Sequence, residues 1–326
     1  MSMVTRSKIT SVGSYLPPKV VTNYDLEKIV DTSHDWIVQR TGIEQRYLAE
    51  DDVLTSDLAI EAARKCLSKA SIGIEDIDMI IVATTTPDRT FPATATRVQA
   101  QLGMERGCAF DVQAVCAGFI YGLSIADQFI KSGSAKHIMV IGAETFSRIL
   151  DWNDRRTCVL FGDGAGAVIL SAFEDSGDVQ TEGILSTHLF SDGRYIDILC
   201  ADGGPSLNRS SGVTTMVGQE VFKSAVKAMS DSVFQALEKN KLSVSDIDWF
   251  IPHQANSRIL EAVGKRIGLD EKNLISTVSF HANTSAASIP LALDYAVSEG
   301  HVKKGQLVAL SAFGAGLSWG SSLLRW

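Results

Sequence analysis

DIDMIIVATTT (76–86) is echoed 170 residues further on by DIDWFIPHQAN (246–256). Each has an acidic lead-in, an apolar run of strand length and a polar exit. Two further echoes keep the same order. The helical stretch around Leu123–Gly133 has a counterpart around Pro290–Gly300, which pairs Asp127 with Asp294, and the glycine-rich strand pair TCVLFGDGAGAVIL (157–170) resembles ALSAFGAGLSWGSSLL (309–324). Repeats in one order predict an internal duplication. The first half is placed at residues 1–173 and the second at 218–326, with residues 174–217, rich in Gly, Ser, Asp and Thr, as a connecting insertion.

Inside the first half, strand-like and helix-like patterns alternate. DMIIVATTT (78–86), CAFDVQAV (108–115) and HIMVIGAE (137–144) read as strands, and TATRVQAQLG (94–103) and FIYGLSIADQFIKSG (119–133) as helices. This rhythm predicts an α/β protein with a mostly parallel sheet covered by helices.

Composition narrows the function classes. The 326 residues are 45% hydrophobic and 21% charged, a balance that supports a sizeable core. A formal net charge of −8 argues against a general nucleic-acid-binding role, which needs a basic footprint. No apolar run reaches the roughly 18 residues of a membrane span, and MSMVTRSKIT lacks the apolar core of a signal peptide. The five cysteines (66, 108, 116, 158, 200) are widely spaced and form no CxxC pattern. That spacing argues against a disulfide framework or a structural metal site and fits a reducing cytoplasm.

Three residues stand at junctions where a strand pattern gives way to a helical one: Cys116 in DVQAVCAGF, His253 in IPHQAN and Asn283 in HANTSAAS. Such junctions put a side chain at the rim of a sheet and at the positive end of a helix dipole, which favours a thiolate. Cys116 is the candidate nucleophile, with small neighbours Ala114, Ala117 and Gly118 leaving room for a substrate; the alternative is a buried structural cysteine. For His253 the alternative is a loop histidine, for Asn256 an N-cap and for Asn283 a helix cap. FGDGAGA (161–167) has GxGxG spacing and is followed by a strand pattern, so close backbone packing accounts for it better than a dinucleotide site does.

GSYLP (13–17), DWIVQRTGI (35–43), DVQAVCAGF, FGDGAGA, PHQAN, HANTSAAS and FGAGLSWGS (313–321) together resemble the β-ketoacyl-acyl-carrier-protein synthase III family, end to end. The resemblance implies the thiolase fold, an internally duplicated five-layered α-β-α-β-α sandwich, as a cytoplasmic homodimer. It implies that Cys116 takes an acyl group from acyl-CoA and that His253 and Asn283 bind the thioester carbonyl of malonyl-acyl carrier protein. No metal or redox cofactor is implied, because acyl-CoA is a substrate. By the same resemblance, backbone N–H groups of Cys116 and of the Gly314–Gly316 turn are expected to form a second oxyanion hole; Ala315 stands where relatives often have glycine, which requires it to avoid positive φ. Trp36 and Arg155 are expected to hold the CoA adenine and Arg40 its phosphates, with Arg156 making that rim more basic. Phe91 is expected to cross the dimer interface, and Phe91, Leu160, Leu207 and Leu317 are candidate walls of the acyl pocket. Arg258, Lys265 and Arg266 share a helix face, extended by Lys223, as a candidate docking patch for the acidic carrier protein.

Three rival functions are a synthase III-like enzyme of secondary metabolism with another starter, a non-decarboxylating thiolase, and a catalytically silent partner subunit. A thiolase needs a second catalytic cysteine in the carboxyl-terminal half, where none lies beyond Cys200. The presence of Cys116, His253 and Asn283 argues against a silent subunit.

Overall fold

The structure, a computed structural model, describes residues 3–326. In chain order its strands are β1 (Val4–Tyr15), β2 (Lys19–Thr22), β3 (Gln45–Leu48), β4 (Met79–Ala83), β5 (Cys108–Val112), β6 (His137–Glu144), β7 (Gly164–Asp175), β8 (Gly183–Ser191), β9 (Leu199–Ala201), β10 (Thr214–Met216), β11 (Trp249–Pro252), β12 (Leu307–Gly314) and β13 (Ser318–Arg325). One sheet has the order β1-β7-β6-β4-β5 and a second the order β8-β13-β12-β11. In each order the first two pairings are antiparallel and the remaining ones parallel. A single bridge from Phe250 to Leu274 stands where a fifth strand of the second sheet would lie.

The two sheets are copies of one design. Equivalent elements start at Met79 and Trp249, at Gly118 and Ser288, and at His137 and Leu307, each pair 170 apart. Two of the sequence echoes are out of this register. Asp127 and Asp294 are 167 apart and are not equivalent, although each accepts a hydrogen bond from a serine of β1, Ser7 (2.7 Å) and Ser14 (2.6 Å). Residues 157–163 form no strand, so only the part from Gly164 onward matches β13.

Three further differences from the sequence reading concern architecture. The sheets are mixed, because β7 and β13 return antiparallel beside β6 and β12. Residues 183–191, read as part of a connection, form the edge strand of the second sheet and pair with β13 from Gly183 to Ser191. The second half thus begins at β8, ahead of residue 218. Its strand hides among Ser, Thr and His residues because its faces are only half-buried, which leaves little apolar alternation to read.

Five layers result. The helices Gly118–Lys131 and Ser288–Ser298 lie between the sheets, in one apolar cluster with Ile81, Val140, Ile251 and Leu310. Alternate residues of the same strands, such as Ile80 and Ile141, face outward onto the helices Thr55–Lys69 and Thr94–Leu102. The helices Gly218–Asn240 and Ser257–Ile267 cover the second sheet through Met229, Val263 and Phe250. Strands buried on both faces explain the continuous apolar runs of the sequence. Glycines let the central layer close. A Cβ on Gly142 would stand 2.2 Å from the Ala286 carbonyl oxygen, and one on Gly166 2.7 Å from Pro290. The FGDGAGA run therefore serves close packing, with the helix Ser288–Ser298 as the neighbour.

Candidate active site

β5 ends at Val112, and a single 3₁₀ turn, Val115–Ala117, leads into the helix Gly118–Lys131. Val115 has φ +47°, a left-handed conformation that a β-branched residue enters only at a cost in strain. The duplicated turn Ser285–Ala287 opens the helix Ser288–Ser298, and Ser285 repeats the feature at φ +51°. The two helix starts meet: a Cβ on Gly118 would lie 3.5 Å from that of Ala286. The pseudo-twofold of the fold thus places Cys116, in the first turn, against the loop that carries Asn283.

Cys116 is only 5% exposed. Burial pushes its thiol up to about 12, opposed by the adjacent Ser285 hydroxyl and a backbone N–H and reinforced by the Glu144 carboxyl. The thiolate expected from the helix dipole is therefore not the resting state; desolvation outweighs the favourable end of the helix.

His253 stands immediately after β11, with its N–H on the Ser311 carbonyl (2.8 Å). Gln254 locks the turn: its side-chain amide donates to Pro252 O (2.7 Å) and Ile275 O (3.2 Å) and accepts from Thr277 N–H (2.7 Å). The imidazole is 2% exposed, and burial depresses it to about 3, so it is neutral at physiological pH. Its Nδ1 is 2.6 Å from Ser288 Oγ. That oxygen also accepts from Gln254 N–H (3.3 Å); when it gives its own proton to Nδ1, the imidazole proton is on Nε2.

Asn283, 6% exposed, is held by backbone bonds to Leu160 O and from Gly162 N–H, both 3.0 Å. Its Oδ1 accepts from Ser285 N–H (2.9 Å), so the side chain orients by its oxygen and presents its NH₂ elsewhere. It caps no long helix. Asn256 is the N-cap of the helix Ser257–Ile267, with Oδ1 accepting from Ile259 N–H (2.9 Å).

Cys116, His253 and Asn283 all line one cavity of about 770 Å³. Trp36, Arg40 and Arg155 line it too, with the guanidinium carbons 4.7 Å (Arg40) and 4.9 Å (Arg155) from the Trp36 ring centre. Arg156, Lys223 and Arg258 add positive charge to the same wall, and Arg156 is clamped by Asp154 (2.8 Å). Leu160 is a wall residue, joined by the unforeseen Phe313 and Met229.

Other sequence candidates lie elsewhere. Leu317 is buried in the core beside Phe313, and Leu207 is exposed on the surface. Phe91 is 82% exposed and does not line this cavity. Lys265 and Arg266 also stand off it, and Arg266 pairs with Asp231 at 3.2 Å. Ala315 has no positive φ, as required, while Gly316 does at +128°. The turn packs directly on the nucleophile, since a Cβ on Gly314 would approach Cys116 N to 2.8 Å. Sequence reasoning missed Ser288, Ser285 and Glu144. The serines sit within HANTSAAS, and Glu144 ends β6, a strand terminus where site residues collect.

A duplicated five-layered fold with a cysteine at the meeting of its halves, facing histidine and asparagine from the second half, defines a condensing enzyme of the thiolase class. Residues 110–193 match the family described as 3-oxoacyl-[acyl-carrier-protein] synthase III, and residues 237–326 match its carboxyl-terminal part. The beta-ketoacyl-[acyl-carrier-protein] synthase III of Rhodospirillum centenum is 57% identical over 99% of this chain and 100% of its own length. The crystal structure of 3-oxoacyl-[acyl-carrier-protein] synthase III from Aquifex aeolicus superposes with a TM-score of 0.92 at 46% identity, covering 98% of this chain and 100% of that one. The priming beta-ketosynthase of the R1128 polyketide pathway has a TM-score of 0.92 at 33% identity, covering 98% and 96%. The chain belongs to the β-ketoacyl-acyl-carrier-protein synthase III family. Among the described residues no helix is long and apolar enough to cross a membrane.

Proposed function

We propose that the protein condenses an acyl-CoA primer, acetyl-CoA, with malonyl-acyl carrier protein, releasing CO₂ and 3-oxoacyl-acyl carrier protein and so initiating fatty acid synthesis. The observation that supports this most is the meeting of a thiol, a neutral imidazole and a primary amide in one cavity. The CoA adenine stacks on Trp36 beside the Arg40 and Arg155 guanidinium groups, an aromatic and cationic surface suited to a purine and its phosphates. Cys116 Sγ attacks the primer thioester. The tetrahedral oxyanion is met by the backbone N–H groups of Cys116 and Ala315, and CoA leaves.

The malonyl thioester then enters. His253 Nε2–H and Asn283 Nδ2–H donate to its carbonyl oxygen, which becomes negative as CO₂ departs; each well-aimed donor contributes roughly 3–4 kcal/mol. The carbanion attacks the acyl-Cys116 carbonyl and releases the cysteine. The scheme uses neither a metal nor a redox cofactor. Lys223 and Arg258, exposed at the cavity, receive the acidic carrier protein, and two copies pair as a cytoplasmic homodimer in which the protruding Phe91 reaches the partner.

Turnover with acetyl-, branched- and aromatic-CoA primers tests the assignment, read as CO₂ release and 3-oxoacyl product. Preference for acetyl-CoA is expected. Exclusive use of bulky primers would move the enzyme to secondary metabolism, a reading favoured by its similarity to the polyketide priming synthase.

A further inference from the structure

The scheme above leaves unused a buried acid beside Cys116. Glu144 has no solvent exposure, and its oxygens accept from Thr86 Oγ1 (2.6 Å), Thr84 Oγ1 (3.2 Å) and the N–H groups of Thr85 and Thr86 (3.1 Å each). Thr86 Oγ1 accepts from Thr145 N–H (2.9 Å) and Thr84 Oγ1 from Thr86 N–H (3.1 Å), so both hydroxyl protons point at Glu144. A group ringed by donors is built to accept. No lysine, arginine or histidine pairs with it among the described residues, and the titratable group facing it is the Cys116 thiol.

Ser285 joins the two. Its hydroxyl donates to Glu144 Oε1 (3.0 Å) and lies beside the Cys116 sulfur, while its N–H orients Asn283. With that proton committed to Glu144, the Ser285 oxygen is left to accept from the thiol. A proton path from Cys116 through Ser285 to Glu144 is therefore open, its first step the approach of the thiol to the serine oxygen and its second an existing hydrogen bond.

We propose that Glu144, acting through the Ser285 hydroxyl, holds the Cys116 proton during acylation and returns it when the cysteine is released. This rests on the condensing function argued above. As Sγ approaches the acyl-CoA carbonyl, its proton passes to Ser285 Oγ and the serine's own proton passes to Glu144 Oε1. The new C–S bond forms, the C–S bond to CoA breaks, and the CoA thiolate takes one proton from solvent, the single proton that the overall condensation consumes. When the carbanion later breaks the Cys116–acyl bond, Sγ recovers its proton from Ser285, which is refilled from Glu144. Burial raises the Glu144 carboxyl to about 7, so it exchanges a proton near neutrality while the thiol alone does not. Glu144 is a positioning and proton-holding residue, since it touches the reacting sulfur only through Ser285.

The test is the single-turnover rate of Cys116 acylation by acetyl-CoA, followed by intact mass across the neutral pH range. In the wild type the rate is expected to rise with pH and level off above an apparent pKa near that of Glu144, about 7. Glu144→Gln should lower it on the order of 10²-fold at neutral pH and remove the inflection, leaving a continuous rise with pH. Glu144→Asp should restore the inflection. Ser285→Ala keeps the N–H that orients Asn283 and should slow acylation in the same way, so it tests the relay even where Glu144→Gln fails to fold. An unchanged inflection in Glu144→Gln or Ser285→Ala, at any absolute rate, would overturn the relay. A wild type that no acyl-CoA acylates would overturn the condensing function itself.

Discussion

In the proposed scheme His253 is a donor, a role that a neutral imidazole suits. Its pKa of about 3 lies far below an ordinary imidazole, and the direction follows from burial, which disfavours the cation. The imidazole therefore carries the same proton at every pH where the enzyme works. In Cys116→Ala, which isolates decarboxylation from acylation, CO₂ release from malonyl-acyl carrier protein should be flat from about pH 5.5 to 8. An inflection near 6.5 in that profile would contradict a buried neutral imidazole. His253→Ala should reduce condensation by roughly 10²–10³ while Cys116 still accepts an acetyl group, because the lost donor serves only the second half-reaction. The three candidate residues that share the cavity were legible in the sequence as pattern junctions; Cys116 and His253 do follow strands, whereas Asn283 follows the short helix Val278–His281. Ser285, Ser288 and Glu144 were not, since their importance lies in which hydrogen bonds they make, and no local pattern of residue types encodes that.

The elements that position these residues are two copies of one strand–turn–helix unit, closed against each other by glycine. Gly142 on β6 faces the Ala286 carbonyl so closely that an added methyl has no space without moving backbone. Gly142→Ala should destabilise the protein by about 1–3 kcal/mol, read from denaturant unfolding, with slower Cys116 acylation because Ala286 belongs to the turn beside the nucleophile. A fully stable variant would mean that the central layer is looser than described. At this scale the sequence pattern predicted β4 and β6 closely, since strands buried on both faces announce themselves, and also the half-buried β5 and the helices between them. β8 escaped notice because its half-buried, hydroxyl-rich strand lacks that signal.

As a whole the molecule carries a net charge of −8, so an acidic carrier protein must be met by local positive charge. Of the candidate patch, Lys223 and Arg258 line the cavity, while Lys265 and Arg266 are exposed further along the helix that carries Arg258. Arg258→Glu should raise the KM for malonyl-acyl carrier protein, more so at low salt, and leave acylation by acetyl-CoA near the wild-type rate. Equal damage to both half-reactions would remove the docking role. The duplication was legible from the echo at 170 residues, but the register of its weaker echoes was not, because helices repeat at 3.6 residues and tolerate a shift of nearly one turn. The central claim is that Cys116 is the acyl carrier of a decarboxylative condensation. Its most direct test is to incubate the protein with acetyl-CoA, locate the adduct by peptide mass spectrometry, and then add malonyl-acyl carrier protein. The account predicts acetyl on Cys116 alone, discharged with release of CO₂; an adduct on another residue, or one that persists after the malonyl substrate is added, would contradict it.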